Sequence, residues 1–303
     1  LIDVHAHLGH KDVFSTEFLD GIRRSVCAAL PPADRTLAVE QTLRRIVDAR
    51  MRDASGDGLV RAMDDAGVEQ AVLLIIDFFH GQEGGEERLA LIHTMHGALV
   101  RRHKGRLRAF AGVDPRRGDA GVAFLRRALT EHGCRGLKLY PPCGFELDDA
   151  RLWPLFALCR EHGVPVLTHT GPSLPTMAVE ERFPGSLAAA AKAFPEVDFI
   201  LAHALLGAFN THLELARALP NVHLEISGFQ TEGFGGSHLA ARLGACFDTI
   251  PRQVMYGSDW PLFNFQISPK RWLEHLARLR EGTRVDDERW EFFAQRNAAR
   301  VLR

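Results

Sequence analysis

The sequence predicts an α/β chain folded as a single (β/α)₈ TIM barrel, on three observations. Apolar, β-branched runs alternate with longer amphipathic stretches along the 303 residues. The runs number eight, which is the strand count that closes a barrel. The first run is not followed by the GxGxxG turn of an open doubly wound sheet, the competing architecture. A chain of this length fits one such barrel and buries a core that needs no disulfide staples. One domain over residues 1–303 is therefore expected.

The expected strands are Ile2–His7, Gln70–Ile76, Arg106–Val113, Gly136–Tyr140, Pro165–Thr170, Asp198–His203, Val222–Ser227 and Gln253–Asp259. Between them the apolar positions switch to helical spacing, as at Leu152, Leu155, Phe156 and Cys159. Asp148 or Asp149 can cap that helix, and Glu161-His162-Gly163 ends it. Glu131-His132-Gly133 closes the preceding helix in the same way. Strands that alternate with helices imply right-handed βαβ units and a parallel sheet. Two segments stand outside the repeat. Residues 8–35, with Phe14, Phe18, Leu19 and Ile22, form an insertion that is either a lid, a homodimer contact or a packed excursion. Asp286–Leu302 reads as a terminal helix covering the barrel.

Composition narrows the function classes. Lys plus Arg number 37 and Asp plus Glu 38, a net charge of −1, which favours neither nucleic acid nor an anionic membrane. The longest apolar run, Ala71–Ile76, is far short of a membrane span. The five cysteines (Cys27, Cys134, Cys143, Cys159, Cys246) form no CxxC pair and no even framework. With no secretory leader visible, and Leu1 read as following a lost initiating Met, the expected location is a reducing cytoplasm. The expected partner is a small-molecule substrate.

The chemistry lies at the strand ends. His5 and His7 alternate on one strand and point the same way. His169 ends the fifth run, His203 the sixth and Asp259 the eighth. In a barrel these ends meet at the C-terminal face, where barrel active sites sit. Imidazoles with a carboxylate suit zinc and other first-row divalent metals.

His5-Ala6-His7, Thr168-His169-Thr170-Gly171, Leu201-Ala202-His203 and Gly257-Ser258-Asp259-Trp260-Pro261 resemble the amidohydrolase superfamily. The resemblance is strongest to its amidohydrolase-related branch, which includes aminocarboxymuconate-semialdehyde decarboxylase. It runs from Ile2 to Pro261. It implies one divalent metal, zinc with manganese as the alternative, held by His5, His7, His169 and Asp259; a second metal is the less favoured arrangement. It also implies catalytic roles for Asp259 as base and for His203 as acid/base or polarising group. Lys138 could bridge two metals as a carbamate, but the phrase Gly136-Leu137-Lys138-Leu139-Tyr140-Pro141-Pro142 resembles the one-metal branch. Lys138 is therefore read as an ammonium facing substrate, with an ion pair to Glu225 as the structural alternative.

Further substrate contacts are expected from Tyr140, His80 and Arg116, with Cys143, Ser173, Gln230 and Phe263 as other loop candidates. His93, His96 and His103 are expected at helix surfaces or ends. The leading expectation is a metal-dependent hydrolase cleaving an amide, lactone or ester with activated water. The alternative is a metal-dependent decarboxylase or hydratase of a small carboxylic acid. A non-catalytic binding protein is disfavoured, because every motif position is filled.

Overall fold

A computed structural model describes residues 1–28, 31–174, 176–177, 186–231, 237–263, 267–282 and 285–303. Eight parallel strands run in sequence order: β1 (Ile2–Ala6), β2 (Gln70–Leu74), β3 (Leu107–Gly112), β4 (Leu137–Leu139), β5 (Val166–His169), β6 (Phe199–Ala202), β7 (Val222–Glu225) and β8 (Val254–Met255). The last strand returns to the first. Val4 N donates to Tyr256 O (3.1 Å), Asp259 N to His5 O (2.7 Å) and His7 N to Trp260 O (2.6 Å). The TIM barrel read from the sequence is thus present, and each expected run contains its strand.

The helices are α1 (Thr16–Ala28), α2 (Leu37–Arg50), α3 (Asp57–Ala66), α4 (Gly85–Arg102), α5 (Asp119–Thr130), α6 (Trp153–His162), α7 (Leu187–Ala193), α8 (Phe209–Ala218), α9 (Ser237–Thr249), α10 (Pro269–Gly282), α11 (Asp287–Glu291) and α12 (Asn297–Val301). The expected glycine stop of α6 holds, but the aspartate cap falls on the short turn Ala150–Leu152 that leads into the helix, and α6 itself starts after Leu152 without a side-chain cap. Asp149 accepts from Arg151 N at the entry turn, and Gly163 at φ 60° closes the helix, a conformation open to glycine without penalty. His93 and His96 correct the expectation of surface positions. Both are buried on α4, where His93 Nε2 meets Gly112 O (3.1 Å) and His96 Nδ1 meets Ile92 O (2.8 Å).

Two apolar layers hold the barrel. Leu73, Ala109, Leu137, Val166, Leu201 and Leu224 point outward into the helical shell. Val4, Val72, Phe110, Leu167, Ile200 and Met255 fill the interior, and Ala298, Val301 and Leu302 join that inner cluster. The C-terminal helix therefore plugs the barrel end opposite the site.

Residues 8–35 form a short turn (Lys11–Val13), α1 and a second turn (Pro32–Asp34); positions 29 and 30 lie outside the described residues. Ser15 Oγ accepts from Phe18 N at the start of α1. Phe14 stacks on Phe18 at 5.2 Å and meets the His7 ring at 5.9 Å. At Gly21 any Cβ would press on Leu174 and Thr176, so α1 lies directly against the segment after β5.

Candidate metal centre

Alternation alone would not bring the strand-end residues together, and two backbone devices do so. Ile2 and Val4 belong to the inner layer, whereas Ala6 and Leu8 belong to the outer one. The register of β1 on β2 slips between Asp3 and Ala6, a bulge that exchanges the two faces. His5 and His7 consequently turn inward. On β6, Ile200 and Ala202 face inward, so a regular strand would send His203 outward. Instead His203 takes φ 60°, and Asp259 takes φ 50°. Among the described residues these are the non-glycine positions in the left-handed region. Such backbone costs about 1–3 kcal/mol per residue and persists where its surroundings enforce it.

His5, His7, Lys138, His169, His203 and Asp259 line one cavity of about 310 Å³. His5 Nε2 lies 3.4 Å and His7 Nε2 3.3 Å from Asp259 Oδ1, and His203 Nε2 lies 3.8 Å from Oδ2. The ligand atoms of His5, His203 and Asp259 all fall within 4.8 Å of one another. His7 and His169 share the cavity but not that tight group. The His169 ring packs 4.8 Å from both His203 and Tyr140, with Nε2 donating to Pro172 O at 3.2 Å.

The other ring atoms settle the tautomers, assigned from their partners. His5 Nδ1 meets the Glu225 carboxylate (2.9 Å), His7 Nδ1 meets Leu74 O (2.8 Å), and His203 Nδ1 meets Ser227 O (3.2 Å). Each partner accepts, so each Nδ1 carries the proton and each Nε2 presents a lone pair. Burial pushes the imidazoles of His5, His169 and His203 down from their ordinary value, which keeps them neutral.

Asp259 Oδ1 is then a buried carboxylate oxygen with no hydrogen-bond donor, facing imidazole lone pairs. That arrangement is costly unless a cation lies between the groups. The residues therefore fit a divalent metal, and nitrogen plus carboxylate donors suit zinc or manganese.

Glu225 and Ser227 are the parts of the site that the strand-end reading passed over. On β7 the inward positions are His223, Glu225 and Ser227, of which the last two lie at the site, while Val222, Leu224 and Ile226 face the helices. Polar residues at alternate places in an otherwise apolar run were the available signal. Glu225 is not the partner of Lys138; its oxygens are taken by His5 Nδ1, Ser227 Oγ (2.9 Å), His203 N (3.3 Å) and Ser227 N. Burial raises the Glu225 carboxyl, while His203 and Ser227 pull it back. Gly257 makes room for it, since a Cβ there would overlap Glu225 Oε1. Gly257→Ala is expected to destabilise the fold by about 1–3 kcal/mol, the usual cost of overpacking, which a denaturant titration would measure.

Lys138 Nζ has no ion pair within 4.0 Å among the described residues, although its side chain is 2 % exposed. Burial lowers its ammonium to about 8, against the pull of Asp259 and Glu225. Tyr140 stands beside it on the cavity wall. The structure separates His80 and Arg116 from these residues. They line a neighbouring cleft, and Arg116 is engaged by Asp114 (2.9 and 2.6 Å) and Cys143 O (2.9 Å). Cys143 also lines that cleft, with its thiol pushed up by burial, and Ser173 and Phe263 line the main cavity. Gln230 instead bridges Gly228 N and Ser258 O, supporting the loops behind the site.

Comparison with known proteins agrees with this geometry. Three solved structures superpose over nearly the whole chain. An uncharacterized TIM-barrel protein from Bordetella bronchiseptica has a TM-score of 0.68 at 15% identity, covering 100% of this chain and 98% of its own. The 5-carboxyvanillate decarboxylase of Sphingomonas paucimobilis gives 0.66 at 16%, with coverages of 100% and 98%. A dihydroxybenzoic acid decarboxylase from Polaromonas sp., solved with bound manganese and the inhibitor 2-nitroresorcinol, gives 0.63 at 18%, with 99% and 96%. At these identities the likeness establishes the fold. No curated protein matches, and no described helix is long and apolar enough to cross a membrane. The family profile described as Amidohydrolase matches residues 2–303, and the chain therefore belongs to the amidohydrolase family.

Proposed function

We propose that this protein is a metal-dependent carbon–carbon lyase that releases CO₂ from a small hydroxylated aromatic acid. The observation that carries the reading is the ammonium of Lys138, without an ion pair among the described residues, in the same cavity as the orphaned Asp259 oxygen. A substrate carboxylate would supply the charge that Lys138 lacks. The hydrolase expectation uses the same floor, but a neutral amide or lactone leaves that ammonium buried without a partner. Apolar side chains of Phe18, Ile22, Val26, Leu206 and Phe263 form the remaining walls, a surface suited to a flat ring. The decarboxylases among the structural neighbours support the same choice.

In this reading His5 and His7 through Nε2, His169 through Nδ1 (its Nε2 being given to Pro172 O) and Asp259 hold one divalent ion. When bound, the ion draws electron density from the substrate's oxygens. Lys138 orients the acid. The bond to the carboxyl carbon breaks, its electron pair stays on the ring, and a proton takes the vacated place. That proton is taken up from solvent: His203 Nε2, 3.8 Å from Asp259 Oδ2, accepts it, Asp259 steadies the resulting imidazolium, and His203 delivers it to the ring carbon. The apolar walls exclude water and favour release of neutral CO₂ over retention of a charged carboxylate. Residues 8–35 act as a lid in this proposal, because Phe18, Ile22 and Val26 belong to α1. The barrel works as one catalytic domain, and its five free thiols suit a reducing cytoplasm.

The test is a manganese-loaded protein incubated with hydroxybenzoates beside a panel of amides and lactones. CO₂ evolution with loss of the carboxyl group is expected. Cleavage of an amide or lactone, with no CO₂ from any acid, would return the protein to the hydrolases.

A further inference from the structure

The donors around Glu225 are all of one kind. Its Oε2 faces His5 Nδ1 (2.9 Å), the Ser227 hydroxyl (2.9 Å) and His203 N (3.3 Å), and its Oε1 faces Ser227 N. An ionised carboxylate accepts at every one of these positions; a carboxamide has a single acceptor oxygen and would meet donors with its NH₂. The Ser227 hydroxyl has one hydrogen, which Glu225 takes. The Ser227 oxygen is then free to accept from His203 Nδ1, at 2.8 Å. A continuous path therefore runs from His203 Nδ1–H to the Ser227 hydroxyl, to Glu225, and back from His5 Nδ1–H. The whole path is buried: Glu225 and Ser227 are 0 % exposed.

We propose that Glu225 is a positioning residue that orients two imidazoles at once, His5 directly and His203 through Ser227. It fixes both rings in the Nδ1–H tautomer and aims both Nε2 lone pairs at Asp259. Without it, His5 could carry its proton on Nε2 and donate to Asp259 Oδ1, which would satisfy the oxygen and close the metal position. Orientation by an outer carboxylate is worth about 10–100-fold in metal affinity where such partners are removed. The inference rests on reading the cluster as a metal site, but the tautomers exist in the protein without metal.

The experiment uses that separation. Imidazole ¹⁵N spectra of the chelator-treated protein would be recorded for wild type, Glu225→Gln and Ser227→Ala, followed by titration with manganese alone. His5 and His203 are expected as Nδ1–H tautomers in the wild type. Glu225→Gln is expected to change the His5 tautomer and weaken manganese binding about 10–100-fold. Ser227→Ala, which leaves the Ser227 carbonyl in place, is expected to shift the His203 Nδ1 resonance and spare that of His5. If Glu225→Gln does not fold, the Ser227→Ala spectra still decide. An Nε2–H tautomer at His5 in wild type, an unmoved His203 resonance in Ser227→Ala, or Glu225→Gln binding manganese within about twofold of wild type would each overturn the proposal. Wild-type protein that shows the expected tautomers yet binds no manganese would support the positioning role and sink the metal reading.

Discussion

Alanine at His7 is expected to leave less than about a tenth of an equivalent of bound metal and no measurable turnover, while the barrel stays folded. His7 presents Nε2 to Asp259 Oδ1 at 3.3 Å, and its Nδ1 is held by Leu74 O. Removing the ring would delete one of the proposed ligands and leave the Asp259 oxygen facing a void. The fold should survive, because the inner apolar layer of Val4, Val72, Leu167 and Ile200 lies deeper than the mouth. His5→Ala should behave alike, with the added loss of the Glu225 contact. Elemental analysis and circular dichroism of the purified variants check both parts. Either variant retaining full metal and full turnover would contradict the ligand assignment.

The barrel was legible because its strands are buried on both faces and read as near-continuous apolar runs, as in Ala71–Ile76. The strand-end histidines were legible for a related reason: a polar residue closing an apolar run is conspicuous. How they converge was not. The inward turn of His5 and His7 depends on a bulge after Asp3, and Ile2-Asp3-Val4 carries no residue that demands one. The turn of His203 depends on a left-handed backbone that histidine does not favour. Lys138 and Tyr140 follow from simple alternation on β4, and both line the cavity. His80 and Arg116 lie on loops whose direction the sequence does not specify, and the chain after β2 and β3 carries them into the adjoining cleft. The insertion's aromatic residues are conspicuous in the sequence, but nothing in it specifies that α1 brings Phe18 to the cavity wall.

The sharpest question at the centre is the role of His203, and asparagine is the replacement that isolates it. Asparagine tolerates the left-handed backbone at φ 60°, so the turn after β6 should persist. Gly171 lets the His203 side chain approach, since a Cβ there would come within 2.6 Å of His203 Cβ, and a smaller residue fits the same space. What asparagine removes is the Nε2 lone pair 3.8 Å from Asp259 Oδ2. If four other residues hold a single ion, His203→Asn should keep about one equivalent of metal and lose about 10²–10⁴-fold in turnover, the range for a missing acid/base group. The close grouping of His203 with His5 and Asp259 permits a different outcome, in which it is a ligand. Metal would then fall together with turnover. A wild-type content near two equivalents, dropping to one in the variant, would instead identify a second ion and make Lys138 its bridging carbamate. We expect the first result. His203 donates from Nδ1 to Ser227, which keeps its Nε2 lone pair available, and Lys138 faces the cavity with no ion pair among the described residues and no carboxylate on β4 to share a metal.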